Sequence, residues 1–389
     1  MKPHLIFLHQ MPVSERDFRR WGFAKLIAKG IKVSCLDVCD IAMPQIPHDR
    51  SRYAQYTSID VHVIGKDDKD RMRDILSTGS LVLCAVGSGF PDPDNIDVLR
   101  ALSRSGRPSL MFSASAIPVW GRGGARNKIA KLSRGADLKK SVYKRLPLSV
   151  LGVRPIEIAV YGGRLSRIPR PMVTDKTRPV CLHAEDYEVY RDALERKDEA
   201  GEQDIAVFLD QGFCFHPGFM APGFSHIGDV DYVYPRLRAL FDKIENDLKL
   251  RVVIAAHPKV SYRGREHVFG NREIVDGGSA GLVCKSRLAI TAYSTSANLA
   301  VMDRKPLLVY SMQTIKNLSY ALDAPGALAG ALGTKVHYID NPQSIDIRDA
   351  MILDDAAYDA FMVDFIRGED ADSRRWWELL HDETLKYAA

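Results

Sequence analysis

The sequence predicts an α/β protein made of two domains, each with a parallel sheet, that face each other across a cleft. Short apolar runs alternate with longer amphipathic segments, which is typical of parallel strands joined by helices. With 389 residues, 46% of them hydrophobic, the chain is too long for one ordinary core and long enough for two. Several apolar runs stop at polar side chains, as expected where strands present functional groups at the carboxyl edge of a sheet.

The first domain is predicted to span residues 1–178 and to alternate strands with helices. Helical spacing begins at Glu15 and ends at Gly30, a residue type that commonly follows a helix C-terminus. A stretch rich in proline, glycine and arginine, from Leu146 to about Arg178, leads into the second domain. Strands are predicted at Leu5–Leu8, Ile31–Leu36, Leu81–Val86, Leu110–Ser113 and Ile156–Tyr161.

The second domain is predicted at residues 179–345, and its first strand ends at an acidic residue. The apolar run after Asp204 stops at Asp210, which is followed by Gln211 and Gly212. Partial burial at a strand end would raise the pKa of the Asp210 carboxyl toward the range of a general base. The alternative interpretation is an aspartate that caps a turn. A helix is predicted at Tyr234–Leu248, with an apolar stripe that belongs to the core.

The next strand, Arg251–Ala256, is followed at once by His257 and Pro258. The proline biases the histidine away from helical angles and holds it in an extended or turn geometry at the sheet edge. That placement suits a hydrogen-bond donor to a phosphate or to a departing oxygen atom. A turn histidine that is satisfied by backbone groups is the alternative interpretation.

A third strand, Leu288–Tyr293, leads into Ser294, Thr295 and Ser296, and a helix is predicted to begin near Ala297. Free backbone N–H groups and the helix dipole favour an anion at such a place, and small hydroxylated residues let a phosphate approach. These residues can equally serve as the helix N-cap. The two interpretations are compatible because a cap and a phosphate site share the same geometry.

The His-Pro segment, the later strand, the Ser/Thr cluster, the helix and the strand that follows Lys305-Pro306 together resemble a known group. They are similar to the C-terminal domain of bacterial GT-B glycosyltransferases that use CMP-activated sugars, such as sialyltransferases and capsule Kdo transferases. The resemblance covers residues 204–312 and implies the GT-B fold, two Rossmann-like domains facing across a cleft. It implies inverting transfer, without a metal or cofactor, from a nucleotide sugar to a glycan or lipid-linked glycan acceptor in capsule or lipopolysaccharide biosynthesis.

The resemblance also implies roles for individual residues. His257 would act as general acid, and Asp210 is the nearest match to the carboxylate that deprotonates the acceptor. The family motif has two acidic residues before a glycine, and this chain departs from it because Gln211 stands where the second acid is expected. The donor-binding roles fall on His257, Pro258, Ser294, Thr295 and Ser296.

In GT-B enzymes the N-terminal domain holds the acceptor, so two loops of the first domain are candidate contacts: the one after the first strand and the one after Leu81–Val86. The second loop, Gly87-Ser88-Gly89, lacks the spacing of a full dinucleotide fingerprint. Ordinary βα turns are the alternative for both loops. The candidate acceptor or sugar contacts are Gln10, Gly87, Ser88, Gln211, Gly212, His216 and Arg263.

Two other functions stay open. The segment Thr291–Thr295 also resembles the Tyr-Ser-Ser cluster of CDP-glycerol glycerophosphotransferases, which share the fold and a cytidine nucleotide donor but transfer a polyol phosphate. A GT-B protein that hydrolyses or epimerises a nucleotide sugar is the second alternative. The identity of the donor distinguishes the first alternative from a CMP-sugar glycosyltransferase, and activity without an acceptor distinguishes the second.

Composition narrows the partners and the location. The formal net charge is +5, yet aromatic residues are not interleaved with the basic ones and no nucleic-acid motif is present, so no nucleic-acid partner is predicted. The six cysteines are scattered without zinc spacing, which indicates reduced core thiols and no metal. Without an apolar run of membrane-spanning length or a secretory signal, a cytoplasmic location is predicted.

The most basic stretch, residues 122–145, carries nine lysines and arginines against Asp137 alone. It is interpreted either as a contact with anionic lipid headgroups, at the inner face of the cytoplasmic membrane, or as an ordinary solvated face. The last segment, residues 346–389, is predicted to form helices in which Trp376 and Trp377 brace the first domain.

Overall fold

The structure, a computed structural model, describes residues 2–44, 50–51, 53–114, 116–118, 142–143, 145–195, 201–216, 229–313 and 324–388. These residues form two compact units, each built on one parallel sheet. The first unit draws on ranges 1–114, 125–185 and 367–389, and the second on ranges 115–124 and 186–366. The sequence predicted domain boundaries after residues 178 and 345. The first unit extends past 178 because residues 178–181 form a strand of its sheet.

The first unit contains a seven-stranded sheet in which all observed pairings are parallel, with strand order β3-β2-β1-β4-β5-β6-β7. Because β1 lies between β2 and β4, the chain reverses its direction of travel across the sheet at the β1/β4 boundary. This boundary is the topological switch point, where ligands bind in such sheets. The strands are β1 His4–His9, β2 Lys32–Asp37, β3 Asp60–Val63, β4 Leu81–Ala85, β5 Ser109–Ser113, β6 Ile158–Tyr161 and β7 Arg178–Cys181.

Strand β1 shows why this sheet is buried on both faces. Its four central residues are completely buried, and successive side chains point to opposite sides. Leu5 and Phe7 pack into one apolar cluster, whereas Ile6 and Leu8 pack into another. A continuous apolar run is therefore the pattern of a strand covered by helices on both sides.

The helix predicted from Glu15 to Gly30 is two helices in the structure, α1 (Glu15–Trp21) and α2 (Phe23–Ala28). The break is at Gly22, which adopts the left-handed conformation with φ of +60°. A Cβ at this position would lie 2.6 Å from Cβ of Trp377, so only glycine fits the turn. The single helix was therefore a wrong prediction at its centre.

The remaining helices of the first unit include a C-terminal one that completes its core. Trp376 is fully buried, its ring lies 4.9 Å from that of Trp21, and its Nε1 donates to the carbonyl oxygen of His183 at 3.3 Å. Arg20 and Glu185, both buried, form an ion pair nearby in the same unit. The helices are α3 Cys39–Ala42, α4 Lys69–Ser77, α5 Ile96–Ser105, α6 Leu148–Leu151 and, at the C-terminus, Trp376–Lys386.

The second unit contains a six-stranded parallel sheet with strand order β10-β9-β8-β11-β12-β13, so its switch point lies between β8 and β11. The strands are β8 Ile205–Leu209, β9 Arg251–Ala256, β10 Ile274–Asp276, β11 Leu288–Thr291, β12 Leu307–Ser311 and β13 Val336–Tyr338.

Helices pack against this sheet, and the longest, α8, supplies the predicted apolar stripe. Leu237, Leu240, Phe241 and Ile244 are buried, and the ring of Phe241 meets that of Phe208 on β8 edge-on at 5.0 Å. No helix among the described residues is both long enough and apolar enough to cross a membrane. The helices are α7 Glu185–Glu195, α8 Val230–Leu248, α9 Ser279–Lys285, α10 Ala297–Met302, α11 Ala324–Ala331 and α12 Asp355–Phe361.

Candidate functional site

The switch point of the second sheet brings the three predicted segments together. Strand β8 lies between β9 and β11, and all three run parallel. Asp210 directly follows β8, His257 directly follows β9, and Ser294 comes three residues after the end of β11. The carboxyl ends of three adjacent strands therefore carry the acid, the histidine and the hydroxyl cluster that the sequence singled out.

Asp210 is 8% exposed and accepts three hydrogen bonds within the unit. Its Oδ1 accepts from the backbone N–H of Gly212 at 2.8 Å, and its Oδ2 accepts from the backbone N–H of His257 at 3.2 Å and from the hydroxyl of Tyr262 at 2.7 Å. Burial raises the pKa of the carboxyl, and the hydrogen bonds from Tyr262 and the backbone oppose that rise. The predicted base is thus a buried carboxyl group that is already bonded on both oxygens.

His257 is partly exposed, and its ring has a defined hydrogen-bond direction. Its Nδ1 accepts from the backbone N–H of Lys259 at 3.2 Å. A neutral imidazole that accepts at Nδ1 carries its proton on Nε2, which makes Nε2 the donating atom. Pro258 is exposed and lies in the turn closed by the bond from Val260 N to His257 O. In that tautomer Nε2–H is the group that would donate, and the donor role of His257 stays a prediction.

His216, predicted as a lower-ranked contact, lies against His257. The two rings meet edge-on with centroids 4.6 Å apart. Burial, with a smaller contribution from the Lys259 charge, lowers the pKa of His216 to about 4, so this imidazole is neutral at physiological pH. His216 reaches this position because its backbone N–H bonds to the carbonyl oxygen of Gly212, which turns the loop after β8 toward the loop after β9.

Gly212 is required at that turn for two reasons. Its φ of +60° is in the left-handed region, and a Cβ there would lie 2.4 Å from Cγ2 of Val260. The backbone of the loop after β8 thus packs closely against the Val260 side chain of the loop after β9. Glycine at this position sets how near they come.

The hydroxyl cluster follows β11 as predicted, and α10 begins at Ala297. Ser294 Oγ accepts from the backbone N–H of Ser296 at 3.2 Å, a local turn bond that precedes the helix. The N-cap of α10 is Ser296, and its side chain makes no capping bond. Ser294, Thr295 and Ser296 are all partly exposed, which leaves hydroxyl groups accessible at the sheet edge.

Gln211 anchors the start of that cluster. Its Oε1 accepts from the backbone N–H of Tyr293 at 3.2 Å, and its Nε2 donates to the carbonyl oxygen of the same residue. Gln211 is 8% exposed. The residue that stands in place of a second acid therefore bonds the backbone that leads into Ser294 and Thr295.

Tyr262 is a site residue that sequence reasoning missed. It is 3% exposed and its hydroxyl donates to Asp210. Arg263, the neighbour that was predicted, is exposed. The available signal was an aromatic side chain with one polar atom in a largely polar loop, a residue type that buries its ring and bonds its hydroxyl.

The first unit carries its own cluster of predicted residues at the β1/β4 switch point. Gln10, after β1, accepts at Oε1 from the backbone N–H of Gly87, after β4, at 2.9 Å. Ser88 has a φ of +47°, unusual for a residue with a side chain, and its carbonyl oxygen accepts from Arg170. Arg170, which the sequence did not single out, also donates to Ser113 Oγ at 2.7 Å. The structure thus brings Gln10, Gly87 and Ser88 together.

The predicted lipid contact, residues 122–145, lies outside the described residues except for residues 142, 143 and 145. Among the described residues, no group of three or more histidine, cysteine, aspartate or glutamate side chains is arranged to hold a metal ion.

The chain matches no protein-family model, and no curated protein matches it. Solved structures are similar in fold. UGT89C1 of Arabidopsis thaliana, crystallised with quercetin, has a TM-score of 0.52 at 12% identity, over 99% of this chain and 100% of that one. The spinosyn forosaminyltransferase SpnP has a TM-score of 0.50 at 11% identity, over all of both chains. At such identities the likeness concerns the fold alone, and it confirms the predicted GT-B class with two Rossmann-like units.

Proposed function

We propose that the protein is a glycosyltransferase that moves a sugar from a nucleotide-linked donor to a glycan acceptor. The observation that carries the proposal is that His257 and the cluster Ser294–Ser296 follow β9 and β11, the two strands that flank β8, at the carboxyl edge of the second sheet. An imidazole N–H and several hydroxyl groups at one sheet edge suit a phosphate group. The GT-B fold is consistent with a nucleotide-sugar donor.

In the proposed reaction the acceptor oxygen attacks the anomeric carbon from the side opposite the leaving group. A new carbon–oxygen bond forms while the bond from that carbon to the phosphate oxygen breaks, and inversion follows. Nε2–H of His257 donates to the departing oxygen, and the hydroxyl groups of Ser294 and Thr295 stabilise the negative charge that develops there.

The acceptor proton needs a base, and Asp210 is the sequence-based candidate. Its raised pKa suits proton uptake. However, its oxygens already accept from Gly212, His257 and Tyr262, so few of the roughly four lone-pair sites of this carboxylate are left for the acceptor proton. The assignment of Asp210 as the base stays a prediction.

The finer identity of the reaction rests on the motif resemblance. It favours a CMP-activated donor of the Kdo or sialic type, metal-independent transfer and an acceptor in capsule or lipopolysaccharide biosynthesis. Residues 122–145 would then contact the anionic inner face of the cytoplasmic membrane or a lipid-linked acceptor.

A second candidate is transfer of a polyol phosphate from a CDP-linked donor. The order Tyr293-Ser294-Thr295 favours it because this is the cluster on which the glycerophosphotransferase resemblance depends. A third candidate, hydrolysis or epimerisation of a nucleotide sugar, uses the same donor site and needs no glycan acceptor.

The test is thermal stabilisation by CMP, CDP, UDP, GDP and ADP, measured on the wild type, His257→Ala and a control variant, His267→Ala. His267 lies in the same loop, is exposed and is not part of the proposed site. A ligand at 100 times its Kd stabilises the folded state by about 2.7 kcal/mol. Selective stabilisation by CMP that is lost only in His257→Ala supports the proposal, and a CDP preference favours the second candidate.

Other outcomes of the same test count against parts of the proposal. A preference for UDP or GDP would keep the transferase and discard the CMP donor. Equal stabilisation of the wild type and His257→Ala would remove His257 from the phosphate site. If none of the five nucleotides stabilises the wild type, the transferase proposal fails.

A further inference from the structure

The loop after β8 is bonded to both of its neighbours by side chains of two consecutive residues. Asp210 reaches the loop after β9, and Gln211 reaches the loop after β11. The two bonded loops are those that carry His257 and the hydroxyl cluster. The pair Asp210-Gln211, which we call the brace, thus stands between the two halves of the proposed phosphate site.

The Asp210 side of the brace fixes the loop after β9 at two points. One carboxylate oxygen accepts both from the backbone N–H of His257 and from the hydroxyl of Tyr262, five residues later. Tyr262 is itself held because its ring packs edge-on against Phe269 at 4.9 Å. The backbone position of His257 at the end of β9 is therefore fixed relative to Asp210.

The Gln211 side of the brace fixes the loop after β11 through both amide atoms. It accepts from and donates to the backbone of Tyr293, the residue immediately before Ser294. An amide side chain satisfies a backbone N–H and a backbone carbonyl oxygen at once, whereas an ionised carboxylate has no proton to donate. Glutamine at this position therefore makes both bonds, and an ionised glutamate would repel the carbonyl oxygen.

We propose that Asp210 and Gln211 are positioning residues, which set the distance between His257 and Ser294–Ser296 so that one phosphate group can contact both. The inference rests on the proposed function, because the phosphate is that of the nucleotide ligand. The inference also explains why Gln211 stands where the resembling family has a second acid: the glutamine bonds the backbone that leads to the hydroxyl cluster.

The test compares each brace variant with a matched variant at the other end of the same strand. Gln211→Ala is paired with Gln203→Ala, and Asp210→Asn with Asp204→Asn. Gln203 and Asp204 are exposed and immediately precede β8. They have the same side-chain types as the brace but flank the opposite end of the strand. The probes are CMP, UMP, GMP and AMP and the four matching nucleosides, with binding measured by calorimetry.

The expected result is a loss specific to the phosphate. Gln211→Ala should weaken the best-bound monophosphate by about tenfold, the worth of one ordinary hydrogen bond, and leave the matching nucleoside unchanged. The backbone amide of Tyr293 should exchange its hydrogen at least several-fold faster in the same variant. The two control variants should match the wild type in both measurements.

Four results would overturn the inference, and they are distinguishable from one another. Unchanged exchange at Tyr293 in Gln211→Ala would show that the brace does not hold this loop. Equal losses for monophosphate and nucleoside would show general damage rather than positioning. If the wild type binds none of the monophosphates, the proposed function fails together with the inference, whereas normal binding by both brace variants removes the inference and leaves the function standing.

Discussion

Replacing Gly212 with alanine should destabilise the second unit by an amount that can be worked out from two separate effects. The φ of +60° costs a residue with a Cβ about 1–2 kcal/mol. The new Cβ would lie 2.4 Å from Cγ2 of Val260, and relieving such overpacking costs a further ~1–3 kcal/mol. The expected total is about 2–5 kcal/mol.

Gly264 provides a matched control in the loop after β9. Its φ is +76°, but a Cβ there would have no atom within 4 Å. Gly264→Ala should therefore show the backbone cost alone, about 1–2 kcal/mol. Val260→Ala should relieve the clash, so the double variant with Gly212→Ala should cost about 1–3 kcal/mol less than the sum of the two single variants.

The assay must follow the second unit. Three of the four tryptophans, Trp21, Trp376 and Trp377, lie in the first unit, so tryptophan fluorescence reports chiefly on that unit. We would measure hydrogen exchange of the amides in β8 and β9 as urea is added, which gives the free energy of opening for those strands. Equal costs for Gly212→Ala and Gly264→Ala, or additivity with Val260→Ala within about 0.5 kcal/mol, would refute the reasoning about the close contact.

One partly buried and two buried side chains give further predictions. His216 should titrate near pH 4 by NMR, and Lys259→Gln should raise its pKa. Because the unfolded chain takes up this proton near pH 6.5, the free energy of unfolding should fall as the pH is lowered from 6.5 to 4. A His216 midpoint near pH 6.5 would contradict the burial argument. Arg20→Met should destabilise the first unit by about 3–5 kcal/mol in urea unfolding, because Glu185 is left charged and buried, and a double variant with Glu185→Met should recover most of that loss. Trp376→Ala should cost about 3–5 kcal/mol in the same assay, and a cost under about 1 kcal/mol would show that the last helix adds little to this core.

Much of the fold was accessible from the sequence because its central strands are buried on both faces. Leu5–Leu8 and Arg251–Ala256 read as apolar runs, and both are strands. The strands Asp60–Val63 and Ile274–Asp276 were missed because they lie at sheet edges and are only partly buried, so their sequences lack that pattern. Gly22 was read as part of a helix because spacing alone does not reveal a left-handed residue.

Individual residues of the candidate site could be predicted from the sequence, but the hydrogen bonds between them could not. His257 and the hydroxyl cluster could be found because each follows a recognisable strand. That Gln211 bonds Tyr293, and that Asp210 bonds both His257 and Tyr262, depends on the strand order β9-β8-β11. One sequence does not state which strands are neighbours, so these long-range bonds could not be derived from it.

In both units a glutamine bonds across the switch point, and this bears on when each site forms during folding. Gln10 and Gly87 are 77 residues apart, and Gln211 and Tyr293 are 82 apart. Contacts between such distant residues form late, because the entropy of closing the intervening loop must first be offset by strand pairing. Each candidate site should therefore form only after β1 has paired with β4, or β8 with β11. Ligand binding then reports a completed sheet, and a chain whose strands pair in the wrong register should fail to bind ligand even while much of it is still folded.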